Sequence, residues 1–109
     1  MSSATLSVSF YMTDAGTEPV RDWLKSLSQD DRKRIGEDIK TVQYGWPLGM
    51  PLVRKMDRDL WEVRTSLQGR VARVLFTLEE NVIVLLHGFI KKSQQTPATE
   101  LRVAKQRMK

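Results

Sequence analysis

A chain of 109 residues is long enough for one hydrophobic core and too short for two, so a single domain over residues 1–109 is expected. It has no cysteine and one histidine, which excludes disulfides, thiolate metal sites and an ordinary zinc site, and no apolar run nears the roughly 20 residues that span a bilayer. The net charge of +5 is uneven: residues 1–50 hold 6 basic and 7 acidic side chains, and residues 51–109 hold 12 basic and 6 acidic.

A basic half of this kind suits a polyanion, with nucleic acid ahead of an acidic protein as its partner. The first residues, MSSATLSVSFY, have neither the charged region nor the sustained apolar region of a signal peptide. A cytoplasmic protein with no membrane segment and no metal cofactor is expected.

Leu6–Tyr11 alternates apolar and polar residues and predicts a short strand at a sheet edge. Thr13 to Gly16 is turn chemistry, and Pro19 opens a helix whose apolar face is Val20, Trp23, Leu24 and Leu27. Ser28 is a cap for a second helix, with Asp30 and Asp31 near its positive end. Ile35, Ile39, Val42 and Trp46 form its apolar stripe, and Gly45 and Pro47 end it. The triplet Arg32, Lys33, Arg34 lies among acidic residues and reads as solvated surface. Two helices joined by a short connection form an antiparallel pair that needs a sheet to cover.

Trp46–Met56, with two prolines and a glycine, is expected to be a loop crossing to the sheet. Arg54, Lys55 and Arg58 sit where it delivers the chain, as RNA-binding groups or as solubilising ones. Three strands follow, Leu60–Thr65, Val71–Thr77 and Val82–Phe89, joined at Gln68-Gly69 and at Glu79-Glu80-Asn81 into an antiparallel meander. A two-residue turn at Gln68-Gly69 pairs Leu67 with Arg70 and sets Arg64 opposite Arg73. Trp61 and Val63 then share the other, apolar face with Ala72, Val74 and Phe76, where the helices pack.

Two opposed arginines repel, and an anion would relieve them; pairing with a carboxylate such as Glu62 is the plainer alternative. In this register His87 falls on the core side, beside Ala72 and Phe76. Lys91 and Lys92 begin a polar, irregular stretch that ends at Thr96, the expected cap of a last helix with Pro97 at its first position. Leu101, Ala104 and Met108 give that helix an apolar stripe, and Arg102, Lys105, Arg107 and Lys109 make its other face basic. The fold class is α+β: an N-terminal strand, a helical hairpin, a three-stranded meander in a small antiparallel-dominated sheet, and a C-terminal helix.

The pieces LWEVR, RVLF and VLLHGFIKKSQQTP, followed by AKQR, resemble the RelE/HigB superfamily of toxins from bacterial toxin–antitoxin pairs, closest to a HigB-like branch with phage-derived members. The resemblance covers nearly the whole chain, and HGFIKKSQQTP is its most specific piece. It implies a RelE-like fold and a ribosome-dependent endoribonuclease acting on mRNA. It also implies an antitoxin partner that carries a DNA-binding helix-turn-helix. The implied chemistry is attack of a ribose 2′-OH on the adjacent phosphate, with no metal, leaving a 2′,3′-cyclic phosphate and a 5′-OH.

By the same resemblance Arg73 is the central-strand arginine that meets the charge of the phosphorane. Lys91 and Lys92 hold the scissile phosphate or protonate the leaving oxygen. Arg64, Arg54 and Lys55 bind flanking phosphates of mRNA or ribosomal RNA, with Arg58, Arg102 and Lys105 in the same basic surface. The general base is the weak point, because no tyrosine or histidine follows Phe89. His87 is a catalytic candidate by type but reads as a half-buried structural residue by its face. A lysine crowded by Arg73 is then left for the base. A nucleic-acid-binding module without chemistry and a domain that docks an acidic protein are the other two readings.

Overall fold

A computed structural model of the chain describes residues 6–49, 51–92 and 95–108. Met1 to Thr5, Met50, Ser93, Gln94 and Lys109 lie outside the described residues, and with them part of the expected polar stretch after β5 and one cation of the expected basic helix face. The elements run β1 (Ser7–Phe10), α1 (Pro19–Lys25), α2 (Gln29–Gly45), β2 (Val53–Asp57), β3 (Leu60–Leu67), β4 (Arg70–Glu79), β5 (Val82–Lys91) and α3 (Ala98–Arg107). The fold is α+β: one five-stranded sheet of order β1-β5-β4-β3-β2, antiparallel except where β1 runs parallel to β5.

Both sheet faces are covered. Val63, Leu67, Ala72, Val74, Phe76, Ile83 and Leu85 point to the face that takes α1 and α2, where they bury Val20, Ile35, Ile39 and Val42. Complete burial of a side chain such as Ile35 contributes about 1.5–3 kcal/mol. Trp46 caps the C-terminus of α2 and stands edge-on to Trp61 at 5.2 Å, sealing the open end of that core. Ser28 caps α2 as expected, its Oγ accepting from the Asp31 amide, which is worth about 1 kcal/mol. On the opposite face Leu60, Leu75, Leu86 and Phe89 bury Ala104 and meet Leu101 and Met108 of α3, the stripe expected for that helix.

The meander registers as its turn dictates: Leu67 pairs with Arg70 across Gln68-Gly69, where Gly69 takes a φ of +70°, and Arg64 lies opposite Arg73. All three strands are longer than expected, and β5 runs on to Lys91.

Three sequence expectations are corrected. The Trp46–Met56 segment is not all loop: Val53–Asp57 forms β2, an edge strand antiparallel to β3. Its sequence VRKMD does not alternate, because exposed charges on an edge replace a buried face and discourage further strands from adding. Thr96 does not cap α3; Pro97 is the N-cap residue, no side chain caps the helix, and the Thr96 hydroxyl bonds Glu62 instead. His87 does not face the Ala72 and Phe76 side. Leu75 pairs with His87 but Phe76 pairs with Leu85, so Leu86 is an extra residue that turns His87 to the Arg73 and Leu75 face.

Candidate functional site

The uncovered end of the α3-side face is where the cations gather. Residues of one parity on β2, β3 and β4 place Arg54, Glu62, Arg64 and Arg73 there: Arg54 pairs with Glu62, and Arg64 with Arg73. Phe89 lies opposite Arg73 on β5, and Lys91 lies opposite Val71 two residues on. Arg73 sits on a strand flanked by partners on both sides and is 0% exposed. Its Nη1 donates to the Gln95 carbonyl at 3.0 Å. Burial, then the Arg64 charge, lower the Arg73 pKa from its ordinary value; Glu62 opposes that, and Arg54 adds to it.

Glu62 is as buried as Arg73 and was named from sequence only as a neutralising alternative. One carboxylate oxygen lies 3.8 Å from Arg64 Nε; the other accepts the Thr96 hydroxyl. The opposed arginines therefore have both a carboxylate and a chain segment against them. Sequence spacing found the arginine pair because the turn fixes register. It missed Gln95 and Thr96, whose approach depends on where α3 docks.

The remaining candidates separate. Arg54 is exposed on the Arg73 face, whereas Lys55 points to the other face and lies 5.8 Å above the Trp61 ring. Arg58 is exposed in the β2–β3 turn, its amide bound to Asp57. Lys91 ends β5 and Lys92 follows it, both exposed. On α3, Arg102 is exposed, while Lys105 is 2.6 Å from Asp57 and holds that carboxyl below its usual pKa, mainly through this hydrogen bond. Beyond Arg64, a groove of about 770 Å³ opens towards α2, lined by Arg34, Glu37, Asp38 and Ser66. Its two carboxylates make it a mixed surface rather than a phosphate cradle.

His87 is half-buried and engaged at both ring nitrogens. Nε2 is 2.5 Å from Glu100 Oε1, and Nδ1 is 3.4 Å from Arg107 Nη1, which also donates to the Leu86 carbonyl at 2.8 Å. Guanidinium only donates, so Nδ1 accepts and Nε2–H donates to Glu100 in the neutral ring. The ring also stacks on Phe89 at 5.7 Å. These contacts tie the two ends of α3 to β5.

A small α+β protein with one mostly antiparallel sheet, two helices on one face, and a buried arginine among cations on the other is compatible with the RelE-like fold. The family model described as "Phage derived protein Gp49-like (DUF891)" matches residues 22–109, and the chain belongs to that family. The family is one of RelE-like toxins of toxin–antitoxin systems, and membership implies an antitoxin partner. Comparison with curated proteins finds no match. No helix among the described residues is long and apolar enough to cross a membrane.

Proposed function

We propose that this protein is a toxin of the HigB-like branch that cleaves translated mRNA on the ribosome. The single observation that carries the proposal is the convergence of Arg54, Arg64 and the rigid, buried Arg73 on one sheet face, with Lys91 at its end. In 2′-OH attack the bond from the 2′-oxygen to phosphorus forms as the bond to the 5′-oxygen breaks. Negative charge peaks on the phosphorane, where a preorganised guanidinium lowers the barrier most. Arg73 takes that role, and Arg54 and Arg64 hold flanking phosphates. Lys91 and Lys92 hold the scissile phosphate or protonate the leaving 5′-oxygen, with a lysine also left for the base. Arg58 and Arg102 add to the surface that meets ribosomal RNA, whereas Lys105 is taken by Asp57 and Lys55 lies over Trp61 on the other face. His87, with both nitrogens engaged by α3, takes an anchoring role in place of a catalytic one. The partner antitoxin carries a helix-turn-helix.

The test is induction of the protein alone in bacteria, followed by mapping of mRNA ends in a translation extract with and without ribosomes. Growth arrest relieved by the antitoxin, with cuts only in translated message, is the expected outcome. Normal growth with abundant folded protein rules the nuclease out. The exposed Arg54, Lys91 and Lys92 would alone suffice for RNA binding without chemistry, and binding with no new 5′-OH ends identifies that case.

A further inference from the structure

Strand β3 outruns the edge strand that covers it. β2 accompanies β3 only as far as Val53 opposite Val63, with the Leu52 carbonyl accepting from the Arg64 amide at 2.9 Å. Pro51 and Leu52 then turn away, in a turn closed by the Val53 amide on the Gly49 carbonyl at 3.1 Å, while β3 runs on to Leu67. The two-residue hairpin makes Leu67 and Thr65 bond to Arg70 and Ala72 of β4. The backbone N–H and C=O of Ser66, between them, therefore point outward, and they meet no partner among the described residues. The β2 edge carries Arg54, Lys55 and Asp57, charges that discourage an added strand. Thr65, Ser66 and Leu67 have no charge, proline or bulge to do the same.

The groove of about 770 Å³ occupies the place that a continued β2 would take. Its lining passes round the sheet edge, from Glu37 and Asp38 of α2 through Thr65 and Ser66 to Val71, with Pro51 at one end. A strand laid about 4.8 Å from β3 puts its residue opposite Thr65 on the helical face, towards those two carboxylates. Neither Glu37 nor Asp38 has an ion-pair partner among the described residues, whereas Arg34 in the same lining is paired with Asp30 at 3.3 Å. The open backbone groups are complementary to another polypeptide, and the free carboxylates repel phosphate. A second copy of the chain on this edge would bring two Glu37–Asp38 pairs together, so a different partner with a basic side chain fits better.

We propose that Thr65–Leu67 is a docking edge for an extended peptide segment of a partner protein: the segment's backbone pairs with Ser66, and its lysine or arginine opposite Thr65 meets Glu37 and Asp38. Strand addition of this kind draws affinity from main-chain hydrogen bonds and specificity from alternate side chains. The inference goes beyond the nuclease reading and does not depend on it, because neither Ser66 nor the two carboxylates take part in cleavage.

The test selects a phage-displayed library of short random peptides on the immobilised full chain and measures the enriched peptide, made synthetically, in solution. The expected peptide carries a lysine or arginine in an alternating sequence and binds the wild type roughly tenfold or more tighter than the double variant Glu37→Lys, Asp38→Lys. Amide hydrogen exchange read by NMR gives the position: the peptide slows exchange at Ser66, while Thr65 and Leu67, already bonded to β4, change little. Ser66→Pro removes the outward N–H at a position β4 does not use, and should abolish peptide binding. If Ser66→Pro does not fold, the charge variant and the Ser66 amide still decide. A library that yields no binder overturns the proposal, as does a peptide indifferent to the charge reversal or one that leaves Ser66 exchange unchanged. Protection of Ser66 by an RNA oligonucleotide in place of the peptide, or by a dimer of the chain seen in light scattering, overturns it in favour of those occupants. No arm uses a ribosome or reads cleavage, so failure of the nuclease reading appears separately.

Discussion

A guanidinium at 0% exposure is unusual enough to demand compensation, and Arg73 has it from Glu62 and from the Gln95 carbonyl. Burial, then the Arg64 charge, lower its pKa, and the Glu62 carboxylate opposes that shift. Arg73→Ala is expected to slow cleavage by roughly 10²–10³, about 3–4 kcal/mol of barrier, if it meets developing charge. Stability will fall too, because Glu62 loses a compensating cation, so unfolding and cleavage belong on the same preparation. Activity that declines only as far as the folded fraction does makes Arg73 structural. Gly88 is a purely structural contrast on the other face. A Cβ there would come within 2.4 Å of two Trp23 ring carbons, so Gly88→Ala should destabilise by about 1–3 kcal/mol as α1 is pushed off β5. A urea midpoint equal to the wild type's would show that Trp23 repacks freely.

At the scale of elements, what the sequence made legible was whatever local chemistry fixes. Gln68-Gly69 sets the β3–β4 register, and from it came the Arg64–Arg73 pair and the apolar face under the helices. Leu101, Ala104 and Met108 set the buried stripe of α3. What was hidden depends on partners distant in sequence. The bulge at Leu86 reversed the face of His87, since one extra residue moves every later side chain across the sheet. Edge strand β2 was concealed by its charges, and Thr96 by a carboxylate 34 residues away. The position of His87 leads to a test at this scale. His87→Ala removes the Glu100 contact and the Phe89 stack that seat α3, and should lower stability by about 1–2 kcal/mol. Cleavage per folded molecule should stay within a few-fold of wild type. A far larger loss of rate with the same unfolding midpoint would return His87 to the catalytic set.

Across the whole molecule the charge asymmetry coincides with the layers. Residues 1–50, with 6 basic and 7 acidic groups, build β1 and the helical layer; residues 51–109, with 12 and 6, build the rest of the sheet and α3. The helical layer is occupied in burying the core, so the cationic surface lies on the other side and along the β2 edge. Not every cation there is available: Lys105 is committed to Asp57, and Lys55 lies over Trp61 on the helical side. Lys91 and Lys92 are exposed, at the end of a strand that carries Phe89 opposite Arg73. Each is expected to neutralise one phosphate, because an exposed ammonium beside a basic face gains most from displacing condensed counterions. Lys91→Ala and Lys92→Ala should each weaken RNA or ribosome binding and flatten the plot of log affinity against log salt by roughly 0.7–0.9. Lys105→Ala is the internal comparison, with a smaller change in slope because its charge already faces a carboxylate. Binding isotherms over a range of salt concentrations decide the matter. Slopes unchanged in both Lys91→Ala and Lys92→Ala would mean that these lysines only solvate the strand end, and would move the phosphate path to Arg54 and Arg64.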